Sequence, residues 1–350
     1  MNDNMTIAFT LCSNNYLAEA KTLGDSILAH NPGWKFVIGL VDRRSDAVDY
    51  SPYAGFEIIE AEAIGIEGFS NMVRQYNIVE LNTSVKADYF DYLFKQYTGS
   101  DTTVFYFDPD IVVYHSLEVL SQSLEEHDVV LTPHILTPMP DDGLYPNEQL
   151  LLQCGIYNLG FIGLKNTGAS QQLIDWWKYR LHNYCYSRPG AGLFVDQLWA
   201  NFIPYLFGKC FTLQHPGANA AYWNLHERNF SRPDGKWLVN GAPLLFYHFS
   251  ALSYSRANNI SKYCTRYTLD NRPELTELID DYKRRLKDND YSALRKISCV
   301  FVSERTAYLQ EQKKLLYKQK PYKRFKHFIS SLIPRKVKDA LLDDGTNNYH

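Results

Sequence analysis

Apolar positions in the first part of the chain follow two rhythms. Runs at 5–11, 34–41, 56–60, 103–107 and 129–131 have the length and the β-branched or aromatic content of buried strands. Between them, apolar residues recur at helical spacing over 16–30, 69–81, 84–97 and 116–126. Strands that alternate with helices predict an α/β fold: a mixed, mostly parallel sheet flanked by helices on both faces. Beyond residue 140 the rhythm loosens. A strand is predicted at 155–164 and a helix at 170–184 carrying Trp176 and Trp177. A second helix is predicted at 194–207 with Asp196 and Gln197 in its first turn, then a short apolar strand at 244–249 containing His248. From residue 272 the chain turns polar and helical. Pro273 supplies a start signal, and Leu275, Leu278, Ile279 and Tyr282 share one face. The expected division is an α/β unit over 1–268 and a helical C-terminal region over 269–350.

Composition narrows the class. With 350 residues the chain can bury a sizeable core, and 45% hydrophobic against 21% charged residues is ordinary for a folded soluble protein. The 26 Tyr, 19 Phe and 6 Trp supply rings that can stack on sugar C–H faces or simply fill a core. Cys12, Cys154, Cys185, Cys210, Cys264 and Cys299 are far apart with no CxxC pair, which suits reduced thiols better than a disulfide framework or a zinc site. Residues 1–5 lack the basic start and apolar core of a signal peptide, and no apolar run approaches a membrane span. These features predict a cytoplasmic protein, free or peripheral on the inner face of the cell membrane.

Charge is unevenly spread. Residues 312–338 hold ten Lys/Arg and no Asp/Glu, leaving 26 Lys/Arg against 39 Asp/Glu elsewhere. An acidic body argues against nucleic acid as a partner. The tail spaces Tyr322, Phe325, Phe328, Ile329, Leu332 and Ile333 helically, with Lys323, Arg324 and Lys326 on the other side. That pattern fits an amphipathic helix on an anionic membrane surface, or equally a basic helix docked on the acidic body.

The chemistry concentrates at Thr103-Val104-Phe105-Tyr106-Phe107-Asp108-Pro109-Asp110-Ile111-Val112-Val113. Two carboxylates at the tip of a buried strand are costly unless something positive neutralises them. A hard divalent cation does so, and open α/β sheets place ligands outside the carboxyl ends of their strands. The same residues also read as a strand followed by an Asp-Pro turn.

Four further segments, taken in order with this one, resemble one family. They are Thr10-Leu11-Cys12-Ser13-Asn14-Asn15-Tyr16, Tyr157-Asn158-Leu159-Gly160-Phe161, Val195-Asp196-Gln197 and Tyr247-His248-Phe249. Together they resemble the GT-A nucleotide-diphospho-sugar glycosyltransferases, and among these the retaining family 8 enzymes, glycogenin-like and bacterial lipopolysaccharide galactosyltransferase-like. The resemblance covers about residues 5–255. It implies a GT-A, Rossmann-like sheet and transfer of a hexose from a nucleotide sugar, a UDP-hexose foremost. The acceptor would be a saccharide or lipid-linked glycan, as in surface polysaccharide or lipopolysaccharide synthesis.

The resemblance also assigns roles. Asp108, Asp110 and His248 would ligate Mn²⁺, or Mg²⁺, which bridges the donor diphosphate. Asn14, Asn15 and Tyr16 would meet the base and ribose, although an Asn-rich turn that caps the next helix explains them too. Asp42, at the end of the second strand, would approach ribose or uracil. Lys86 stands where the family carries an Arg that contacts donor sugar and phosphate. Asn158, Asp196 and Gln197 would surround the donor sugar, with Gln197 stabilising an oxocarbenium-like ion, because an amide is a poor nucleophile. Gly217-Ala218-Asn219-Ala220-Ala221-Tyr222-Trp223-Asn224 resembles a segment near the family's site, with Tyr222 and Trp223 either on sugar or in the core.

One departure stands out. The family's Gly and Lys three and six residues after the His are Ala251 and Tyr254 here, and its Lys-Pro-Trp run is missing; Arg256 or Lys262 are candidates to replace the charge. The competing classes are an inverting GT-A enzyme, a sugar nucleotidyltransferase and a non-catalytic glycan-binding protein on the same fold. A nucleotidyltransferase would open on a Gly-rich phosphate loop, and Leu11-Cys12-Ser13-Asn14-Asn15 has no Gly.

Overall fold

A computed structural model describes residues 5–99, 101–254 and 258–318. Its centre is a seven-stranded sheet. The strands are β1 (Thr6–Cys12), β2 (Lys35–Leu40), β3 (Glu57–Glu60), β4 (Thr103–Phe107), β6 (Val129–Pro133), β7 (Tyr157–Lys165) and β8 (Cys210–Thr212), in the order β8-β6-β7-β4-β1-β2-β3. Only β7 runs antiparallel to its neighbours β4 and β6; the other pairings are parallel. Two short strands, β5 (Ile111–Val113) and β9 (Phe246–His248), form a separate antiparallel ribbon that follows the carboxyl end of the central strand β4. This is the mixed, mostly parallel α/β architecture that the alternating pattern predicts.

The helices are α1 (Leu17–His30), α2 (Phe69–Gln75), α3 (Ile78–Ser84), α4 (Lys86–Gln96), α5 (Glu118–Ser123), α6 (Glu148–Cys154), α7 (Gly168–Tyr184), α8 (Ile203–Leu206), α9 (Thr276–Asp288), α10 (Tyr291–Leu294) and α11 (Val300–Lys318). Because side chains alternate along a strand, each central strand feeds two cores. Ala8, Phe36 and Phe105 pack with α1 on one face, while Ile7, Phe9, Val37, Val104 and Tyr106 pack with α4 and α7 on the other. The C-terminal helices join these cores. α9 buries Leu278, Ile279, Tyr282 and Leu286, and the Tyr282 ring stacks on Phe249, directly after β9, with centroids 3.9 Å apart. On the opposite face, α11 meets α2 through Phe301 and Phe69, 5.2 Å apart edge to face.

Two predicted helices are different in the structure. The single helix expected over 69–81 is split at Tyr76–Asn77, because Asn77 caps α3. Its Oδ1 accepts the Glu80 N–H at 3.0 Å, and Glu80 returns a carboxylate to the Asn77 N–H at 3.0 Å. The helix expected over 194–207 does not form as one unit either. Pro204 has no N–H to offer Ala200, so the ladder cannot run through. Only a 3₁₀ turn (Trp199–Phe202) and the four-residue α8 remain. Asp196 and Gln197 sit in a turn ahead of these, just after Val195, whose φ of 40° is incompatible with a right-handed helix. The six thiols are unpaired. Among the described residues, no helix is long and apolar enough to cross a membrane. The basic tail lies outside the described residues from position 319 onward, and Arg256 lies outside them as well.

Candidate active site

The acidic step lies at the carboxyl end of β4. The last pair of the β4–β7 ladder joins Phe107 to Phe161, and the Asp108 N–H then donates to the Gly160 carbonyl at 2.8 Å. The chain turns through Asp108-Pro109-Asp110 into β5, where Ile111 faces His248 of β9. The Phe249 N–H donates to the Asp110 carbonyl at 2.9 Å. Short-range pairing thus brings a residue 138 positions further on against the two acids. His248 Nε2 is 3.0 Å from Asp110 Oδ1 and 3.7 Å from Asp108 Oδ2. One ligand atom from each of the three residues lies within 4.8 Å of the others.

This donor set fits a divalent cation. Two carboxylates and an imidazole converge, and both acids stay partly open to solvent while the ring is buried. Burial opposes a charged His248, but the adjacent Asp110 and Asp108 outweigh it and hold the ring above its usual pKa. The ring's position is fixed from behind by Trp223, edge to face at 5.1 Å, and from below by Gly160. A Cβ on Gly160 would lie 2.4 Å from His248 Cε1 and 2.8 Å from Asn158 Oδ1. Gly160→Ala is therefore expected to push the imidazole off the two carboxylates and weaken Mn²⁺ binding, at an overpacking cost of about 1–3 kcal/mol. A Mn²⁺ titration checks it, and wild-type affinity in a folded variant would remove His248 from the metal site.

A second group lies beside the first. Lys86, 2% exposed at the start of α4, forms an ion pair with the buried Asp196 and donates to the Leu159 carbonyl at 2.8 Å. Its ammonium rests 3.9 Å from the centroid of the Tyr106 ring, whose hydroxyl donates to Asp108 Oδ1 at 2.6 Å. Tyr106 thus links the buried ion pair to the acidic step. Burial drives the Asp196 carboxyl up and Lys86 pulls it back, with a net upward shift.

Asn158 is at the hub. Its Nδ2 donates to Gln197 Oε1 and to His134 Nε2, each at 3.3 Å, and its Oδ1 accepts from Asn219 Nδ2 at 3.0 Å and from the Gly160 N–H at 3.1 Å. Gln197 Oε1 also accepts the Leu159 N–H at 3.2 Å, while its Nε2 donates to the Cys154 carbonyl at 2.9 Å. Burial pushes His134 down to about 4, so its ring is neutral near pH 7 and can accept from Asn158. Trp223 is only 4% exposed and packs between the two histidines.

The third group is at the carboxyl ends of β1 and β2. Asn14 Nδ2 donates to Asp42 Oδ2 and to the Arg43 carbonyl, both at 2.8 Å, and Asn14 Oδ1 accepts the Tyr50 hydroxyl at 2.6 Å. Asp42 Oδ1 takes the Arg43 and Val300 N–H groups at 3.0 and 2.9 Å. Asn15 is half-buried, and Tyr16 is 36% exposed with the Arg295 guanidinium 3.8 Å from its ring centroid.

The fold thus collects Asp108, Asp110 and His248 in one cluster. It places Lys86, Asn158, Asp196 and Gln197 beside that cluster, and Asn14, Asn15, Tyr16 and Asp42 along the neighbouring strand ends. Sequence reasoning passed over His134, Glu19 and Arg295, and gave Tyr106 and Asn219 no role beyond membership of their runs. Tyr106 had a signal, since it is two residues before Asp108 on the same strand face. Glu19 and Arg295 come together across 276 positions and had none.

No family profile matches the chain. It is 32% identical over 161 residues to the uncharacterized protein YfnF of Bacillus subtilis (strain 168), across 45% of this chain and 52% of that one. The chain therefore spans about half the length of that curated relative. In structure it is similar to galactosyltransferase LgtC in complex with donor and acceptor sugar analogs, at 15% identity over 78% of this chain and 96% of that one, with a TM-score of 0.43. It is similar also to the glycosyltransferase GlyE of Streptococcus pneumoniae TIGR4, at 15% identity over 81% of this chain and 63% of that one, with a TM-score of 0.44.

Proposed function

We propose that this chain is a metal-dependent glycosyltransferase that moves a hexose from a nucleotide sugar, a UDP-hexose, to a hydroxyl of a saccharide or lipid-linked glycan. The observation that carries the reading is the convergence of Asp108, Asp110 and His248 at the carboxyl end of a central strand. A bound Mn²⁺ or Mg²⁺ would neutralise the diphosphate as it leaves. Asn14, Asn15, Tyr16 and Asp42 are assigned to the nucleoside. In this reading residues 1–268 hold the donor machinery, and the helices after 269 close over its nucleoside end.

Around the sugar, Asp196 accepts hydroxyl hydrogen bonds while Lys86 keeps its charge compensated. Gln197, held by Asn158, Leu159 and Cys154, is assigned to the face of C1 opposite the leaving group. The acceptor oxygen forms its bond to C1 on the face from which the diphosphate departs, and its proton passes to a phosphate oxygen of the leaving UDP. The product keeps the donor's anomeric configuration. A lipid-linked acceptor, a role in surface polysaccharide or lipopolysaccharide synthesis, and contact of the basic tail with anionic membrane are part of the proposal on sequence grounds.

UDP release from a panel of UDP-hexoses, with Mn²⁺ and then with EDTA, tests the reading. The expected result is slow hydrolysis of one or two donors that EDTA abolishes. Absence of both turnover and metal-dependent UDP binding would overturn it.

A further inference from the structure

A divalent cation held by two carboxylates has little net charge left, and the leaving nucleoside diphosphate gains a further negative charge as the glycosidic bond breaks, so a further cation within reach would stabilise it. Lys86 is committed to Asp196 and to the Leu159 carbonyl. The Lys262 ammonium lies 4.9 Å from the Tyr263 ring centroid. Arg295 is placed differently. It follows α10 and lays its guanidinium 3.8 Å from the centroid of Tyr16 and 5.0 Å from that of Tyr291. Tyr291 is itself stacked on Tyr254 with centroids 4.7 Å apart, so two aromatic residues and α10 hold the group flat.

Arg295 Nη2 donates to Glu19 Oε1 at 2.7 Å. Glu19 is 2% exposed in the first turn of α1, and its other oxygen is buried with no hydrogen-bond partner. Burial pushes that carboxyl up to about 7 against the pull of Arg295, and Asp110 is near enough to add to the rise. Arg295 therefore lies over Tyr16 at the nucleoside end, and its partner Glu19 is within electrostatic reach of Asp110. Its side chain keeps 31% of its surface open; Nη2 is given to Glu19 and Nε is buried without a partner, so the exposed end of the guanidinium is the part that a ligand can meet.

We propose that Arg295 binds the diphosphate of the nucleotide donor, carried on Tyr16 and Tyr291 and anchored by Glu19; this rests on the glycosyltransferase reading above. The planar fork matches phosphate oxygens, and the aromatic rings fix its plane before the ligand arrives. Tyr16 then serves the phosphates through Arg295 on one face and leaves only its other face for a base.

The test is calorimetric titration of UDP and of uridine into the full chain with Mn²⁺. It compares wild type, Arg295→Lys, and the double variant Glu19→Gln/Arg295→Gln, which leaves no unpaired buried carboxylate. UDP affinity should fall about 10- to 100-fold in the double variant and less in Arg295→Lys, with uridine affinity within about twofold of wild type. Equal losses for UDP and uridine, or none for either, would overturn the assignment while metal-dependent UDP binding by the wild type preserves the enzyme reading. Wild-type protein that takes up no UDP overturns both. Should the double variant fail to fold, Arg295→Lys decides, because it keeps the charge on Glu19 and loses only the fork.

Discussion

Asp110→Asn is expected to abolish metal-dependent UDP binding and to lower turnover by about three orders of magnitude, the scale on which leaving-group charge stabilisation acts. The substitution keeps the side chain's shape and removes one of the two negative charges that converge with His248. Asp110 is also the nearer acid to His248, 3.0 Å away against 3.7 Å for Asp108. It therefore loses a ligand and the main electrostatic partner of the imidazole together. The fold should survive, because the Asp110 side chain is 26% exposed and its backbone, through the bond from Phe249, keeps the β5–β9 ribbon paired. Thermal unfolding without metal should shift by about 1–3 kcal/mol, the scale of a hydrogen bond to a charged group, which leaves the chain folded. The measurement is a UDP titration with and without Mn²⁺. Equal Mn²⁺ enhancement in the two proteins would take Asp110 out of the site.

The sheet was legible because its strands are buried on both faces and read as unbroken apolar runs, and because α1, α4 and α9 carry strong helical spacing. The failures at 69–81 and 194–207 have local causes. Asn77 and Glu80 satisfy each other's backbone and stop one helix to start the next. Pro204 prevents a single helix from running through, and the left-handed backbone of Val195 puts Asp196 and Gln197 in a turn that a helix reading hid. Of the site residues, the acids were visible as acids on a strand end. His248 was visible only through its late strand context and family order, because nothing local says that β9 will pair with β5. The Asn158 hub was legible by residue and not by partner. Its four hydrogen bonds reach Gln197, His134, Asn219 and Gly160, drawn from four different stretches of chain. Glu19 and Arg295 depend on where α10 docks against α1, which no spacing encodes.

Lys86→Met is expected to cost about 3–5 kcal/mol of stability, because it leaves the buried Asp196 carboxylate without its cation. Asp196 is 3% exposed, and its pKa is already raised in the wild type by burial. Without Lys86 it rises further, so the folded value stays above the unfolded value of about 3.9. A raised folded pKa means that the folded state holds the proton more tightly. The stabilisation from that proton is fully present below about pH 4 and lost as pH climbs through the folded pKa. The variant's deficit relative to wild type, measured by urea unfolding, should therefore be smallest in acid and largest near neutral pH. Lys86→Met/Asp196→Asn removes both charges and should regain most of the stability, since a buried ion pair is repaid little beyond its own desolvation. Turnover separates structure from chemistry. If Asp196 holds donor hydroxyls, the double variant should fold well and still be slow by 10²-fold or more, about 3 kcal/mol of lost donor contacts. A double variant that recovers both stability and turnover would make Lys86 and Asp196 a pair that builds the site's wall and touches no sugar.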